Sequence, residues 1–135
     1  MQHLEGKVAL VTGGASGIGY AMCQSLAASG VRVVIADIEQ TALAAAADSF
    51  GESNADIKPM QLDVTDRDQF AEVVDEIERD FGNIHIVCNN AGVGVGGHVA
   101  DMTYKDWDWV LGVNLNGVVN GMVVCANRIR AHGEG

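Results

Sequence analysis

Short apolar runs alternate with segments of helical periodicity along this sequence, and this alternation limits the possible folds more than any other feature. Nearly continuous apolar runs, typical of strands buried on both faces, occupy residues 7–12, 31–36 and 84–88. A fourth run, residues 57–62, contains Pro59 and is of mixed polarity, which suits an edge strand. Strands separated by helices form parallel sheets covered on both faces, so the sequence predicts an α/β doubly wound sheet of about four strands and four helices.

The helical segments have predicted apolar faces or recognisable ends. The face predicted for the first helix consists of Ile18, Ala21, Met22, Ser25 and Leu26. The third helix can be capped by Thr65 or Asp66 and ends before Gly82. The fourth is predicted from Thr103 towards Arg130 and is apolar around most of its circumference. A helix of that kind is either central or covered by a partner.

Composition and charge exclude several classes of protein. The 135 residues fit one domain, and a hydrophobic content of 48% is enough to build a core. The formal net charge of -10 repels phosphate backbones and anionic lipid surfaces, so neither a nucleic-acid partner nor a membrane partner is predicted. No uninterrupted apolar run approaches the ~20 residues that cross a bilayer.

The cysteines and the first residues predict the compartment. Cys23, Cys88 and Cys125 are scattered, without the spacing of a disulfide framework or a metal site, which indicates buried free thiols in a reducing environment. The first residues lack the basic region and apolar core of a secretory signal. We therefore expect a cytoplasmic protein without a metal centre.

A glycine-rich turn, residues 12–19, joins the first predicted strand to the first helix. Gly13, Gly17 and Gly19 allow the backbone to turn sharply and to approach a ligand closely. The N-terminus of the following helix presents unpaired N–H groups and a partial positive charge to a pyrophosphate. Glycine-rich turns are common, so an ordinary turn is the alternative. The position between a buried strand and a helix favours dinucleotide binding.

Asp37 ends the second predicted strand, 18 residues after Gly19. A carboxylate there can accept hydrogen bonds from both ribose hydroxyls of an adenosine. It would repel a 2′-phosphate by roughly a few kcal/mol, and the residues that follow, Ile38, Glu39 and Gln40, include no cation. NAD is therefore predicted over NADP. The alternative role of Asp37 is to cap the second helix.

Four motifs, in this order, resemble those of the short-chain dehydrogenase/reductase family over the whole chain. Residues 12–19 are similar to its TGxxxGxG turn, residues 63–64 to its adenine-contacting pair, residues 89–92 to its NNAG element, and Asn114 to its active-site asparagine. The resemblance implies a Rossmann-type fold and hydride transfer between NAD and a small-molecule alcohol or carbonyl. The predicted cofactor-binding residues are Gly13, Ser16, Gly17, Ile18, Gly19, Asp37, Ile38, Asp63, Val64, Asn90, Ala91 and Gly92.

The resemblance also implies roles for single residues. The Asp63 carboxylate would accept from the adenine amino group while the Val64 N–H donates to a ring nitrogen. Asn90 and Gly92 would lie beside the ribose and the strand end, and Asn114 would kink its helix and hold a water in a proton relay.

Other polar and aromatic residues have plainer interpretations. Asn89 is interpreted as a structural cap on neighbouring strands, and Asn120, with Asn116, as a polar-face residue of the fourth helix. His98 is interpreted as a loop surface residue. The aromatic residues interpreted as packing residues, rather than substrate contacts, are Tyr104, Trp107 and Trp109.

The catalytic serine and Tyr-xxx-Lys pair of that family have no counterpart in this sequence. Tyr20 and Tyr104 are followed four residues later by Gln24 and Asp108, and no serine comes after Ser53. The resemblance places the missing residues on a fifth strand and the segments that follow it. We therefore expect one NAD-binding domain, residues 1–135, truncated before that strand and inactive alone, from a homo-oligomeric parent (a dimer or tetramer). The alternatives are a stand-alone dinucleotide-binding module and an inactive fragment.

Overall fold

The computed structural model describes residues 3–51 and 56–134, and its strands form a single parallel sheet. The strands are β1 (Val8–Thr12), β2 (Arg32–Asp37), β3 (Ile57–Gln61) and β4 (Ile86–Cys88). All neighbours pair in parallel, in the order β3-β2-β1-β4. The predicted doubly wound parallel sheet is confirmed, and Pro59 lies on an edge strand as expected.

Helices follow the strands at the predicted places. They are α1 (Gly17–Ala28), α2 (Gln40–Ser49), α3 (Arg67–Phe81), α4 (Tyr104–Leu111) and α5 (Gly117–His132). A π-helical segment, Gly112–Asn116, joins α4 to α5, so the predicted fourth helix is one long helix with a wide turn inside it. A short 3₁₀ turn, Val99–Asp101, precedes α4.

The sheet separates two hydrophobic cores, because successive strand residues point to opposite faces. On one face Leu10 and Val34 pack with the fully buried Phe70 of α3 and with residues of α5. On the other face Val11 and Ile35 pack with residues of α1 and α2. Both faces are therefore covered, which explains why the strands read as continuous apolar runs.

Helix ends agree with their local signals. The Asp66 side chain caps α3 by accepting from the Gln69 N–H, and Gly82 follows the last turn. Thr103 and Asp106 form a reciprocal capping box at the start of α4.

The apolar face predicted for α1 is wrong except at Leu26, which is partly buried against the core. Ile18 is 73% exposed and Met22 is also exposed, whereas Gly19 and Cys23 are the buried residues of this helix. The reason is steric: a Cβ on Gly19 would lie 2.1 Å from the Gly13 carbonyl oxygen. A residue without a side chain allows α1 to pack this closely against the preceding turn, and this leaves Ile18 facing outward.

The long helix from Tyr104 to His132 exposes a wide apolar face. Its exposed apolar residues include Leu115, Met122 and Val123. Over its most apolar window the helix reaches a mean hydropathy of 1.5, enough by length and composition for a membrane span, a property shared by core helices of soluble proteins. Among the described residues this face has no cover.

Candidate functional site

An open groove of about 580 Å³ lies at the carboxyl ends of the strands. Every residue predicted to bind a cofactor lines it: Gly13, Ser16, Gly17, Ile18, Gly19, Asp37, Ile38, Asp63, Val64, Asn90, Ala91 and Gly92. The sequence assigned no binding role to the other lining residues, which are Glu39, Leu62, Val93, Trp109 and Val113. The structure therefore brings the predicted residues together, while their roles remain predictions.

The three glycines of the turn have different functions in the structure. Gly17 has φ +52°, and a Cβ there would have no described atom within 4 Å, so this position opens into the groove. Gly13 has φ +62° and lies against the Ala91 backbone, where a Cβ would come within 2.8 Å of Cα. Gly19 also lines the groove, and internal packing requires it in addition, because a Cβ there would lie 2.1 Å from the Gly13 carbonyl oxygen.

The start of α1 has the features of an anion site. Ser16 is the N-cap residue with extended backbone, but its side chain makes no capping hydrogen bond within the described chain. The first N–H groups of a helix have no intrahelical partner. The first turn of α1 also contains no acidic residue, so the positive end of the helix dipole is not neutralised there.

Thr12 and Asn90 hold the glycine turn against the end of β4. The Thr12 hydroxyl donates to the Cys88 carbonyl (3.3 Å) and accepts from the N–H groups of Asn90 and Ala91 (both 3.1 Å). The Asn90 amide donates to the carbonyls of Thr12 (3.0 Å) and Gly13 (3.1 Å). Both N–H bonds of the Asn90 side chain thus fix the turn. Thr12 was missed as a site residue because it reads as the end of a strand.

Asp37 is held at the groove by two main-chain donors. Its Oδ2 accepts from the Ala15 N–H and its Oδ1 from the Glu39 N–H, each at 3.2 Å. The N-cap residue of α2 is Glu39, so the alternative that Asp37 caps this helix is wrong. Asp37, Glu39 and Asp63 give the groove a negative wall, and its described lining contains no lysine or arginine.

The loop after β3 is fixed from two directions. The Asp63 N–H donates to Gln69 Oε1 at 2.7 Å, and Asp63 Oδ1 accepts from the Thr65 N–H at 2.9 Å. The Val64 carbonyl accepts from Asn120 Nδ2 at 2.8 Å. Asn120 is 5% exposed, so its interpretation as a polar-face residue is wrong. Sequence reasoning missed it because its partner lies 56 residues earlier.

Asn114 lies within the π-helical segment and binds the loop after β4. Its Oδ1 accepts from the Val93 N–H and its Nδ2 donates to the Val93 carbonyl, both at 2.8 Å. The irregular helix that the resemblance implied here is present as the π turn. In this arrangement both polar atoms of the side chain position a loop, while a role in proton transfer remains a prediction.

Asn89 is not a strand cap. Its Oδ1 is buried and has no hydrogen-bond partner among the described residues. It lies against α5, where a Cβ on Gly121 would be 2.0 Å from the same oxygen. The glycine allows the helix to approach the strand end closely.

Neither Tyr20 nor Tyr104 is placed to act on a ligand in the groove. The Tyr20 hydroxyl is hydrogen-bonded to Ser49. Tyr104 is 91% exposed at the start of α4, so its interpretation as a packing residue is wrong. Neither lines the groove. His98 is exposed, as expected of a loop residue, and its Nδ1 accepts from the Ala100 N–H.

The cysteines are free, as predicted, and two of them are fully inside the protein. Burial raises the pKa of Cys23 to about 12 and that of Cys125 to about 11. Cys88 is half-buried rather than buried, and burial raises its pKa as well. These thiols stay protonated near neutral pH, which makes them poor nucleophiles.

His85, His132 and Glu134 lie together at the opposite end of the sheet, with possible ligand atoms within 4.8 Å of one another. His85 Nδ1 accepts from the Val8 N–H at 3.1 Å, so its proton is on Nε2, which faces Glu134. His132 Nε2 faces the Ile84 carbonyl at 2.8 Å, and its Nδ1 accepts from the Glu134 N–H. As arranged, neither ring offers a free lone pair to a metal ion.

Comparison with known proteins gives consistent matches. The model of the short chain dehydrogenase family matches residues 7–135. The C alpha-dehydrogenase of Sphingobium sp. strain SYK-6 is 37% identical over 135 residues, covering 99% of this chain and 44% of that protein. The NADP-dependent (R)-specific alcohol dehydrogenase of Lentilactobacillus kefiri is 37% identical over 133 residues, covering 98% of this chain and 52% of that protein.

A solved structure shows the same similarity. The crystal structure of a short chain dehydrogenase/reductase from Burkholderia phymatum in complex with NAD aligns with a TM-score of 0.95 at 36% identity. The alignment covers 100% of this chain and 48% of that one. The chain spans about half the length of the curated relatives it matches.

Proposed function

The chain belongs to the short-chain dehydrogenase family, and we propose that its 135 residues bind NAD for an oxidoreductase that interconverts a small-molecule alcohol and a carbonyl. The observation that carries this proposal is the convergence of Ser16, Gly17 and Asp37 in one groove at the strand ends. In open α/β sheets, ligands bind at this edge.

The start of α1 suits the diphosphate of a dinucleotide. The open Gly17 position allows a ligand to approach the main chain, and the Ser16 hydroxyl is not used as a cap among the described residues. Free N–H groups and the positive helix end favour a doubly charged group there. Since the described groove lining holds no cation, the main chain would have to supply this attraction.

Asp37 supports NAD as the cofactor. Its carboxylate is fixed by the N–H groups of Ala15 and Glu39, and a hydroxyl pair on a ribose can donate to the remaining acceptor positions. A 2′-phosphate would instead meet the negative wall formed by Asp37 and Glu39. Family membership alone does not choose between the cofactors, because one relative is named as NADP-dependent and another was solved with NAD.

When bound, the nicotinamide ring supplies the hydride chemistry. The residues of this chain bind and orient: Asn114 fixes Val93 at one part of the groove and Asn120 fixes Val64 at another. A tyrosine with a lysine four residues later, which would exchange the substrate proton, does not occur in the sequence. We therefore propose that these 135 residues bind the cofactor without transferring hydride on their own.

The exposed apolar face of the long helix supports a further part of the proposal. It provides a surface through which the whole protein would form a homo-oligomer. A cytoplasmic location also belongs to the proposal, supported by the free thiols of Cys23, Cys88 and Cys125, which are typical of a reducing compartment.

Calorimetric titration with NAD and NADP tests the function. We expect NAD to bind more tightly than NADP, and Asp37→Asn to reduce this preference because the negative charge is removed. Glu39→Gln is the comparison variant: it removes the other charge of the same wall, so it should reduce the preference less than Asp37→Asn, because the Asp37 carboxylate that accepts from the ribose hydroxyls stays in place. Tighter binding of NADP, or no binding of either cofactor to a folded chain, would contradict the proposal.

A further inference from the structure

Two tryptophans lie two residues apart on α4, and only one of them lines the groove. Trp107 is 42% exposed and Trp109 is 50% exposed, so the interpretation of both as packing residues does not hold for either. Trp109 is part of the groove lining together with Val113, one helical turn later, whereas Trp107 is absent from the described lining. An aromatic ring half exposed inside a groove provides a flat apolar surface for a ligand.

The contacts of the long helix place Trp109 at one end of the groove. A Cβ on Gly117 would lie 2.6 Å from Val64 Cγ2, and one on Gly112 would lie 3.7 Å from Thr65 Cγ2. These glycines are five residues apart, one turn of a π-helix, so both face the loop of residues 63–65. Asn120, three residues after Gly117, binds the Val64 carbonyl on the same face.

Trp109 extends this face by one turn towards the start of α4. It precedes Gly112 by three residues, a spacing that puts two helical side chains on one face. Helical side chains also tilt towards the N-terminus of their helix, so the indole reaches past the residue 63–65 loop. Asn114, in contrast, points to Val93, on another side of the helix.

We propose that Trp109 stacks on the adenine ring of the bound dinucleotide and sets how much the base contributes to affinity. The inference rests on the proposed function. With the diphosphate at the start of α1 and the adenosine ribose at Asp37, the adenine would lie towards the end of the neighbouring strand β3, where the resemblance implies adenine contacts for Asp63 and Val64. Adenine has a flat π-face, and such bases stack on exposed aromatic side chains. The groove offers this ring in addition to apolar Leu62 and Ile38, and Ile38 is itself exposed.

Affinity measurements on the full chain test the proposal. Trp109→Ala should weaken the binding of both NAD and ADP by about 10-fold, in line with the loss of one base stack. Trp109→Phe should restore most of this loss, because a ring remains. Trp107→Ala, which removes an indole of similar exposure outside the described groove lining, should bind both ligands as the unmodified chain does.

Fluorescence separates a direct contact from a structural effect. The sequence has two tryptophans, so Trp107→Phe leaves Trp109 as the only indole and Trp109→Phe leaves Trp107. ADP, which lacks nicotinamide, should change the emission of the first variant and not that of the second. The reverse pattern, or unchanged affinity in Trp109→Ala, would overturn the adenine contact while leaving the proposed function intact. A folded, unmodified chain that binds neither NAD nor ADP would overturn both.

Discussion

Alanine at Gly19 should damage the fold, whereas alanine at Gly17 should damage mainly the binding site. A Cβ on Gly19 would lie 2.1 Å from the Gly13 carbonyl oxygen and 2.5 Å from Asn90 Nδ2, so the turn or the helix must move. Overpacking of this kind typically costs about 1–3 kcal/mol. Because one of the contacts is main chain, we expect a loss near the upper end, about 3 kcal/mol, even after the better helix propensity of alanine is counted.

Gly17, unlike Gly19, has open space where a Cβ would be added. No described atom lies within 4 Å of its added Cβ, and only the positive φ of +52° opposes the change. The left-handed conformation costs roughly 1–2 kcal/mol for a residue with a side chain. The new methyl group would project into the groove, so NAD affinity should fall although most of the stability remains.

Urea unfolding and calorimetric titration of the two variants provide the assay. The account predicts a larger loss of unfolding free energy for Gly19→Ala and a specific loss of NAD affinity for Gly17→Ala. Equal stability losses, or a Gly19→Ala protein as stable as the unmodified chain, would refute the assignment of Gly19 to internal packing.

Three further changes test single contacts. Asn120→Ala should cost about 1–3 kcal/mol in urea unfolding because the Val64 carbonyl loses its buried donor; an unchanged midpoint would contradict this. Phe70→Ala should cost about 3–5 kcal/mol by the same measurement, since its ring is fully buried, and a loss below that range would mean that the core rearranges. Hydrogen bonds from the Thr103 side chain and backbone lower the pKa of Asp106 in the folded state. The ionised Asp106 side chain therefore contributes its full stabilisation of the fold above the ordinary pKa of 3.8, and this contribution is lost as the pH falls through the lower pKa of the folded state. Asp106→Asn should flatten that acid-side dependence in pH-dependent unfolding, and an unaltered profile would contradict the capping box.

Local signals in the sequence were sufficient for the architecture. The alternation of buried runs and helical segments predicts the parallel sheet, and Pro59 identifies an edge strand because proline cannot donate to a ladder. The capping residues Asp66 and Thr103 mark two helix starts correctly. These features depend on near neighbours in the chain, which is why a single sequence contains them.

Features that depend on distant contacts do not follow from periodicity. The irregular helix at Asn114 was implied only by the family resemblance, because it accompanies close approaches of Gly112 and Gly117 to the loop after β3. The buried face of α1 is centred on Gly19 because of a contact with Gly13, so hydrophobicity alone predicted the wrong side. The lining role of Trp109 follows from the same helix placement.

The groove also combines features that the sequence predicts with contacts that it does not predict. Its glycine turn and carboxylate could be recognised from their order along the chain, since each lies at the end of a strand. The hydrogen bonds by which Thr12 and Asn90 hold that turn could not, because they join residues 78 positions apart.

Backbone amide chemical shifts recorded during a titration with NAD test the central claim most directly. If main-chain N–H groups at the start of α1 receive the diphosphate, the amide signals of Gly17 and Ile18 should move strongly, with that of Asp37 moving as well. The amides of His85 and His132, at the other end of the sheet, should stay in place. Shifts centred on those histidines, with the glycine turn unchanged at saturating NAD, would contradict the account.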